Sequence, residues 1–380
     1  MNKKIKIIIL VTALVLLVAE LGFLGFQKFS TPDVVPTEAP TAAPTEPPTE
    51  APTEAPTEAP TEAPTEAPTE APTEPPVLYR DPLTGEPLDA PVTSRIFAVS
   101  INNEADALPH VGTQEAGILM EMYVNGFVTR CLALYSDISK VETIGPIRSM
   151  RYNFTDICVA YDAFMCHASG SDEVMQHMRN AHVDNIWVAT SDRMSYRDKT
   201  RLNSGYATEH TLMGDGPGIY QYLQDKEKRV TASEENKTYG LNFVEDGTPA
   251  DGEDAKKINI TFRIRSNRTK LSTMTYNEEL GRYVYTQYGR SGEKDDPENF
   301  ENVFVMFAEV YDIANYHVAE LEGTGDGYYA CNGKIIPIKW VHEKAEDPIT
   351  FTLPDGTPLE QGIGNSYIAI VPLMSTVEWE

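Results

Sequence analysis

Basic side chains are scarce in this sequence. Its 380 residues contain 31 Lys and Arg against 57 Asp and Glu, which makes the formal net charge −26 at pH 7. A protein that binds nucleic acid neutralises phosphates with a basic face, and a field of the opposite sign repels polyanions. The sequence therefore predicts no nucleic-acid partner. Because 41% of the residues are hydrophobic, a wholly disordered chain is excluded as well.

Cysteine is also rare, and no Cys-x-x-Cys pair occurs. The four cysteines fall inside apolar strand or helix patterns rather than in loops: Cys131, Cys158, Cys166 and Cys331. This placement favours buried thiols, and two disulfides remain the alternative.

Recognised catalytic and metal-binding motifs are absent. The sequence has no Gly-x-Ser-x-Gly elbow, no His-Glu-x-x-His helix and no Gly-x-x-x-x-Gly-Lys phosphate loop. Glu173 and His177 lie one helical turn apart with His182 nearby, but such a set is more typical of a solvated helix face. The acidic stretch 246–254 lacks the ligand spacing of an EF-hand loop. We predict neither a metal ion nor a cofactor.

The amino end contains the longest apolar run. Residues 5–26 form 22 mostly apolar residues, and a helix of that length reaches about 33 Å, enough for a bilayer core. Lys3, Lys4 and Lys6 precede the run, so the positive-inside rule places the rest of the chain outside the cell. Residues 1–30 are therefore predicted to be a single-pass anchor in the cell membrane. A cleaved signal peptide is the alternative, although it normally has a shorter apolar core and a small-x-small cleavage site.

A tetrapeptide repeat, Ala-Pro-Thr-Glu, dominates residues 31–76. The stretch from Pro32 to Pro76 holds 14 of the 27 prolines and no aromatic residue. Such a segment has no apolar face to bury, and its prolines favour polyproline II, so we predict a disordered, extended and acidic linker. It would hold the folded part away from the membrane. The alternative is that the repeat arose by replication slippage and that its length serves no purpose.

From Val77 onward the composition is that of a globular protein, and its first part mixes strands and helices. The predicted strands are 96–101, 117–124, 127–135 and 163–167, with an Asn125-Gly126 hairpin turn, and the predicted helices are 149–162 and the one opened by Ser169-Gly170-Ser171. This pattern predicts a mixed α/β domain over residues 77–225, followed by a connecting segment over 226–256.

The last part alternates apolar and polar residues. Such runs occur at 258–264, 282–287, 303–311, 328–331, 335–340, 349–353 and 367–371, with Asn332-Gly333 and Asp355-Gly356 as hairpin turns. Residues 257–380 are therefore predicted to form a mostly antiparallel β domain. The fold class expected for the whole is α+β, in which this β domain packs with the mixed α/β domain.

Several blocks of the sequence resemble a known family. They are Asp81-Pro82-Leu83-Thr84-Gly85, Gly145-Pro146-Ile147-Arg148-Ser149-Met150-Arg151, Tyr161-Asp162-Ala163, His167-Ala168-Ser169-Gly170-Ser171, Tyr196-Arg197-Asp198 and His210. Through them, residues 79–380 resemble the YerB-like putative lipoprotein family. The resemblance implies a mixed N-terminal domain of unknown function followed by a β-rich C-terminal domain. It implies no settled activity, and the lipid-modified cysteine usual in the family is missing here.

The shared blocks contain side chains suited to an anionic ligand. Arg148 and Arg151 bracket a predicted helix start, and a guanidinium fork binds two oxygens of a carboxylate or phosphate at once. A helix N-terminus and a strand end add further donors. The predicted ligand-binding residues are Arg148, Arg151, His167, Ser169, Gly170, Ser171, Arg197, Asp198 and His210. The alternative is structural, with the two arginines paired to Asp156, Asp162 or Asp198 and His167 hydrogen-bonded in the core.

The function favoured by these observations is that of a membrane-anchored extracytoplasmic protein of unknown activity. It would bind an anionic cell-envelope ligand, such as a wall polymer or a small metabolite, or a partner that the sequence does not name. The alternative is a cell-envelope hydrolase in which Ser169 or Ser171 is the nucleophile, His167 or His210 the base and Asp198 the orienting acid. A third class, a protein-binding module, would require an exposed apolar patch on the β domain.

Overall fold

The computed structural model describes residues 79–234, 237–264, 269–289 and 298–380. The predicted anchor at 1–30 and the predicted linker at 31–76 lie outside the described residues, so both stay predictions. Within the described ranges, no helix has the length and apolar character needed to cross a bilayer.

The described residues form strands and short helices. The strands in chain order are β1 Tyr79–Arg80, β2 Pro87–Leu88, β3 Phe97–Asn102, β4 Ile118–Asn125, β5 Val128–Tyr135, β6 Phe164–His167, β7 Asn185–Trp187, β8 Ser195–Arg197, β9 Leu212–Gly214, β10 Asn242–Val244, β11 Glu253–Asp254, β12 Lys257–Arg263, β13 Thr269–Asn277, β14 Arg282–Gln287, β15 Asn299–Phe300, β16 Asn302–Ala308, β17 Val310–Ile313, β18 Tyr316–Ala319, β19 Gly323–Cys331, β20 Lys334–His342, β21 Thr350–Thr352, β22 Glu360–Gly362, β23 Ser366–Pro372 and β24 Thr376–Trp379. The α-helices are α1 Tyr152–Ala160, α2 Asp172–Asn180, α3 Lys199–Asn203 and α4 Gly216–Asp225.

One large sheet contains strands from both parts of the sequence. Its order is β11-β20-β19-β16-β23-β4-β5-β3-β6-β7, with β21 beside β20. Strand β23 lies between β16 and β4 and is parallel to both, and all seven of its residues are buried. The predicted segment 226–256 thus separates two stretches of chain that share one sheet, and its limits stay a prediction. The C-terminal part is antiparallel in most pairings, but not in β16–β23 or in β10–β22.

A second, antiparallel sheet with the order β15-β14-β13-β12-β24 packs against one face of the large sheet. Ile258, Ile260 and Phe262 of β12 point into this core, as their alternation predicts. Strand β13 was not predicted, because its inward positions include Lys270 and Ser272 rather than apolar residues.

The opposite face of the large sheet is covered by α1 and α2, which contribute Phe154, Ile157 and Val174 to the core. Helix α1 begins three residues later than predicted. The segment 148–150 is extended instead, since Arg148 N donates to Ser100 O at 2.8 Å and Met150 N donates to Ser169 O at 2.7 Å.

Two predicted turns have different outcomes. Asn332-Gly333 connects β19 and β20, with both φ angles positive at 50° and 73°, as a type I′ turn requires. The first hairpin turn is shifted by one residue: Asn125 still pairs with Val128, so its turn residues are Gly126 and Phe127. The four cysteines are buried free thiols, as their positions in the sequence predict.

Candidate functional site

Three parallel strands end together at one edge of the large sheet. Strand β6 is parallel to β3, and both β3 and β4 are antiparallel to β5, so Asn102, Asn125 and His167 mark the carboxyl ends of three strands. Ligands of α/β proteins commonly bind outside this edge. The extended segment 148–151 and the start of α1 lie there too.

Three arginines converge at this edge, and we name them the arginine cluster: Arg130, Arg148 and Arg151. Arg130 Nη1, on β5, donates to the carbonyl oxygen of Ser149 at 2.9 Å. Arg151 Nη1 donates to Met150 O at 2.7 Å and reaches Ser149 O at 3.4 Å. The cluster is therefore built around the backbone of the Arg148–Arg151 segment itself.

Arg130 is the buried member of the cluster, whereas Arg148 and Arg151 are half-buried. The side chain of Arg130 is 2% exposed, and burial, with the positive charges of Arg151 and Arg148, holds its pKa well below the ordinary value. Burial likewise lowers the pKa of Arg151 to about 10. Since a guanidinium stays protonated at neutral pH, these shifts express the free-energy cost of holding three like charges together away from water.

The arginine cluster has little compensation. Among the described residues, the Nε atoms of all three arginines are buried without a hydrogen-bond partner. The carboxylate that faces the cluster is Glu104, whose Oε1 lies 3.7 Å from Arg148 Nη2. The exposed Glu209 carboxylate also interacts electrostatically with Arg148, but among the described residues no carboxylate forms a hydrogen bond with any of the three guanidinium groups.

Arg151 and the first turn of α1 are held in a fixed arrangement. The Arg151 guanidinium lies 5.3 Å from the centre of the Tyr316 ring, and its Nη2 donates to Asn125 Oδ1 at 3.3 Å. Arg151 is also the N-cap residue of α1, and it makes no side-chain capping bond. The backbone N–H groups of that turn add a partial positive charge next to the three guanidinium groups.

His210 lies on the other side of Glu104. Its Nδ1 accepts from the Asn102 amide at 2.8 Å, so Nε2 carries the ring proton, and Nε2 lies 3.7 Å from Glu104 Oε2. Beyond His210 is an open cavity of about 390 Å³, which we name the His210 cavity. Its lining residues are Asp106, Ser204, Gly205, Tyr206, Ala207 and His210.

His167 is a buried residue that holds the backbone next to the arginine cluster. It is 1% exposed, its Nδ1 donates to Ser169 O at 3.0 Å, and its Nε2 lies 3.2 Å from Asn185 Oδ1. Burial lowers its pKa. The Ser169 hydroxyl is hydrogen-bonded to the Ser149 hydroxyl at 2.8 Å, which joins this segment to the arginine cluster. Both ring nitrogens of His167 thus face partners other than a serine hydroxyl.

The remaining predicted site residues have structural contacts. Ser171 caps α2 by accepting from Val174 N, and Asp198 caps α3 by accepting from the N–H groups of Thr200 and Arg201. Exposed Arg197 donates to Thr208 O, and Gly170 packs so closely that a Cβ there would lie 2.7 Å from Met175 Sδ. Among these residues, no serine hydroxyl is hydrogen-bonded to a histidine ring that is in turn held by an aspartate, as a catalytic triad requires.

The predicted structural alternative for Arg148 and Arg151 named the wrong partners. Of the three candidate acids, Asp156 is 3.2 Å from His177 Nε2, Asp162 pairs with Arg95 and Arg229, and Asp198 is 3.5 Å from Arg201 Nε. These carboxylates are engaged elsewhere, and the acidic residues that interact with Arg148 are Glu104 and, electrostatically, the exposed Glu209.

Arg130 and Glu104 were missed from the sequence. Arg130 lies inside the predicted strand 127–135, which was identified from its β-branched and aromatic residues. The available signal was the arginine itself, because a charge inside a strand buried on both faces needs a partner.

The folded part of the chain matches known proteins. Residues 83–230 match the family described as "Protein of unknown function (DUF3048) N-terminal domain", and residues 259–368 match its C-terminal domain. A relative from Bacillus subtilis (strain 168), named "Putative lipoprotein YerB", is 25% identical over 302 residues, which cover 77% of this chain and 86% of the relative.

A solved structure has the same fold. The crystal structure of YerB protein from Bacillus subtilis aligns with a TM-score of 0.66 at 22% identity, covering 79% of this chain and 99% of that chain. At this identity the likeness shows the fold alone. The sequence and structure matches together confirm the predicted resemblance.

Proposed function

Since this chain belongs to the DUF3048 family, whose description assigns no function, we propose a function from the chemistry of the site. The protein binds an anionic ligand through a phosphate or carboxylate group placed at the arginine cluster. The observation that carries the proposal is Arg130, which is 2% exposed and has two like-charged neighbours, while the Glu104 carboxylate beside the cluster is beyond hydrogen-bond distance of Arg148.

An incoming anion would remove the electrostatic strain of the cluster. Each charge-assisted hydrogen bond from a guanidinium to an oxyanion contributes about 1.5–3 kcal/mol, and the planar fork can donate two at once. The uncapped first turn of α1 supplies further N–H donors. A phosphate or carboxylate therefore suits the site, whereas a cation or a purely apolar group would leave the arginines uncompensated.

The ligand is proposed to belong to the cell envelope. The predicted membrane anchor at 1–30 and the predicted acidic linker at 31–76 would place the folded part outside the cytoplasm, and the name of the Bacillus subtilis relative, "Putative lipoprotein YerB", supports that location. An anionic wall polymer or a small anionic metabolite fits both the location and the arginine cluster.

Thermal unfolding of the full-length chain in detergent tests this proposal. Inorganic phosphate, added at constant ionic strength against chloride, should raise the midpoint of unfolding, because a ligand that binds the folded state stabilises it. The variant Arg148→Gln should lose most of that rise. Arg179→Gln, which changes an exposed arginine of α2, should keep it. An equal response in both variants, or no response in the wild type, would reject the proposal.

A further inference from the structure

We propose that the ligand is a phosphate ester of a sugar or another polyol. Its phosphate would lie at the arginine cluster and its hydroxyl-bearing part in the His210 cavity. This inference rests on the proposed function and names the class of molecule that the site takes.

The arginine cluster and the His210 cavity are adjacent. A single carboxylate, that of Glu104, separates them: Oε1 lies 3.7 Å from Arg148 Nη2, and Oε2 lies 3.7 Å from His210 Nε2. His210 is itself a wall of the cavity. A small molecule bound to Arg148 would therefore meet the cavity directly.

The cavity has the chemistry of a site for neutral, hydroxylated groups. Ser204 can donate and accept a hydrogen bond, the Asp106 carboxylate accepts, and the Gly205 backbone is open to a ligand. The volume of about 390 Å³ falls within the range of small-molecule sites. Because Asp106 and Glu104 would repel a second anion, the negative group must lie at the arginine cluster and the uncharged group in the cavity.

Glu104 is suited to the junction of the two parts. At 3.7 Å neither of its contacts is a hydrogen bond, so both oxygens have capacity to accept one. A hydroxyl near the phosphate could donate to it, which is the arrangement that a polyol phosphate presents. A phosphate without hydroxyl neighbours would still bind the arginines, but it would have no hydrogen bond to offset the repulsion of this carboxylate.

The wall of the cavity is held in place by Arg201. Its Nη1 donates to Ala107 O at 2.7 Å and its Nη2 donates to Pro109 O. The ring of Tyr206 lies 5.3 Å from this guanidinium, and its hydroxyl donates to Leu108 O at 3.1 Å. These bonds join the loop after α3 to the segment after β3, so the cavity is formed before a ligand enters.

The test compares two probes on the full-length chain in detergent. Dissociation constants are measured by calorimetric titration for inorganic phosphate and for glucose 1-phosphate. Hydrogen bonds from two or three sugar hydroxyls should make the ester bind about tenfold more tightly than phosphate. In the double variant Asp106→Ala/Ser204→Ala this ratio should fall to near one. The matched control Ser191→Ala/Asp192→Ala, on another exposed loop, should keep the ratio.

The possible failures are distinguishable. If phosphate binds and the ester binds no more tightly, or if the cavity variant keeps the wild-type ratio, the polyol phosphate inference is overturned while the anion site stands. If neither probe binds, the proposed function fails and this inference fails with it.

Discussion

Replacing Arg130 with methionine should stabilise the ligand-free protein and abolish its response to phosphate. Exchanging buried charged groups for apolar groups of similar volume often stabilises a protein by about 1–4 kcal/mol. The variant also loses the hydrogen bond to Ser149 O, which contributes about 1 kcal/mol. The net gain expected without ligand is about 0–3 kcal/mol, equivalent to a midpoint up to roughly 5 °C higher for a chain of this size.

Phosphate should reduce or reverse the difference in stability between the Arg130→Met variant and the wild type. At a phosphate concentration one hundred times the dissociation constant, binding stabilises the wild type by about 2.7 kcal/mol. The Arg130→Met variant, which has lost the buried member of the arginine cluster, should gain little. The midpoints of thermal unfolding, measured with and without phosphate, should therefore converge or cross as phosphate is added.

The fluorescence of the three tryptophans provides the assay, because Trp187, Trp340 and Trp379 all lie in the folded part. Arg179→Met is the matched control at an exposed position, and it should change neither the midpoint nor the phosphate response. A variant Arg130→Met that unfolds several degrees below the wild type without ligand would show that Arg130 stabilises the fold, and our reasoning about the arginine cluster would be wrong.

Three further variants test other charges. Glu104→Gln removes the carboxylate next to the arginine cluster and should tighten phosphate binding about three- to tenfold in calorimetric titrations at low salt; weaker binding would mean that Glu104 orients the arginines. Lys270→Met removes the ammonium group that pairs with fully buried Glu121, and it should lower the free energy of unfolding by about 3–5 kcal/mol in urea titrations, with partial recovery when Glu121→Gln is added. Asp156 raises the pKa of half-exposed His177, so the pair stabilises the fold below the unfolded pKa of about 6.5 and loses that effect as pH rises through the folded pKa; His177→Gln should cost less than about 1 kcal/mol at pH 5 and nothing at pH 8.5.

Hydrophobic periodicity predicted most of the strands and helices in which apolar residues occupy every buried position. The alternation in β12 and β14 and the turn at Asn332-Gly333 could be predicted because each depends on local geometry. The sharing of one sheet by both parts of the chain could not, since the pairing of β23 with β4 joins residues about 250 positions apart. Strand β13 was not predicted because Lys270 faces inward, at a position where hydrophobic alternation requires an apolar residue.

Only the part of the site that lies within one short segment of the chain could be predicted from the sequence. Arg148 and Arg151 belong to one short segment, so their proximity follows from the sequence alone. Arg130 lies on β5 and donates to the carbonyl oxygen of Ser149. The pairing of β5 with β3 brings it there, and the sequence does not show that pairing. Predictions for Ser171, Asp198 and Arg197 assigned ligand contacts to side chains that the structure uses to cap helices or to bind backbone.

Two groups of buried charge in this protein can be compared with each other. Glu121 is fully buried, and its carboxylate is 2.5 Å from Lys270 Nζ. It also accepts hydrogen bonds from four hydroxyl groups, those of Thr129, Ser272, Tyr285 and Tyr367. Despite its burial, these partners hold the pKa of Glu121 below the ordinary value.

The arginine cluster lacks such partners. The buried carboxylate of Glu121 is compensated by one lysine and four hydroxyl groups. At the carboxyl edge of the same sheet, the Glu104 carboxylate lies 3.7 Å from one of the three guanidinium groups, that of Arg148, and three buried Nε atoms have no partner among the described residues. Because an uncompensated buried charge destabilises a fold, this edge is where we propose that an anion from outside the chain binds.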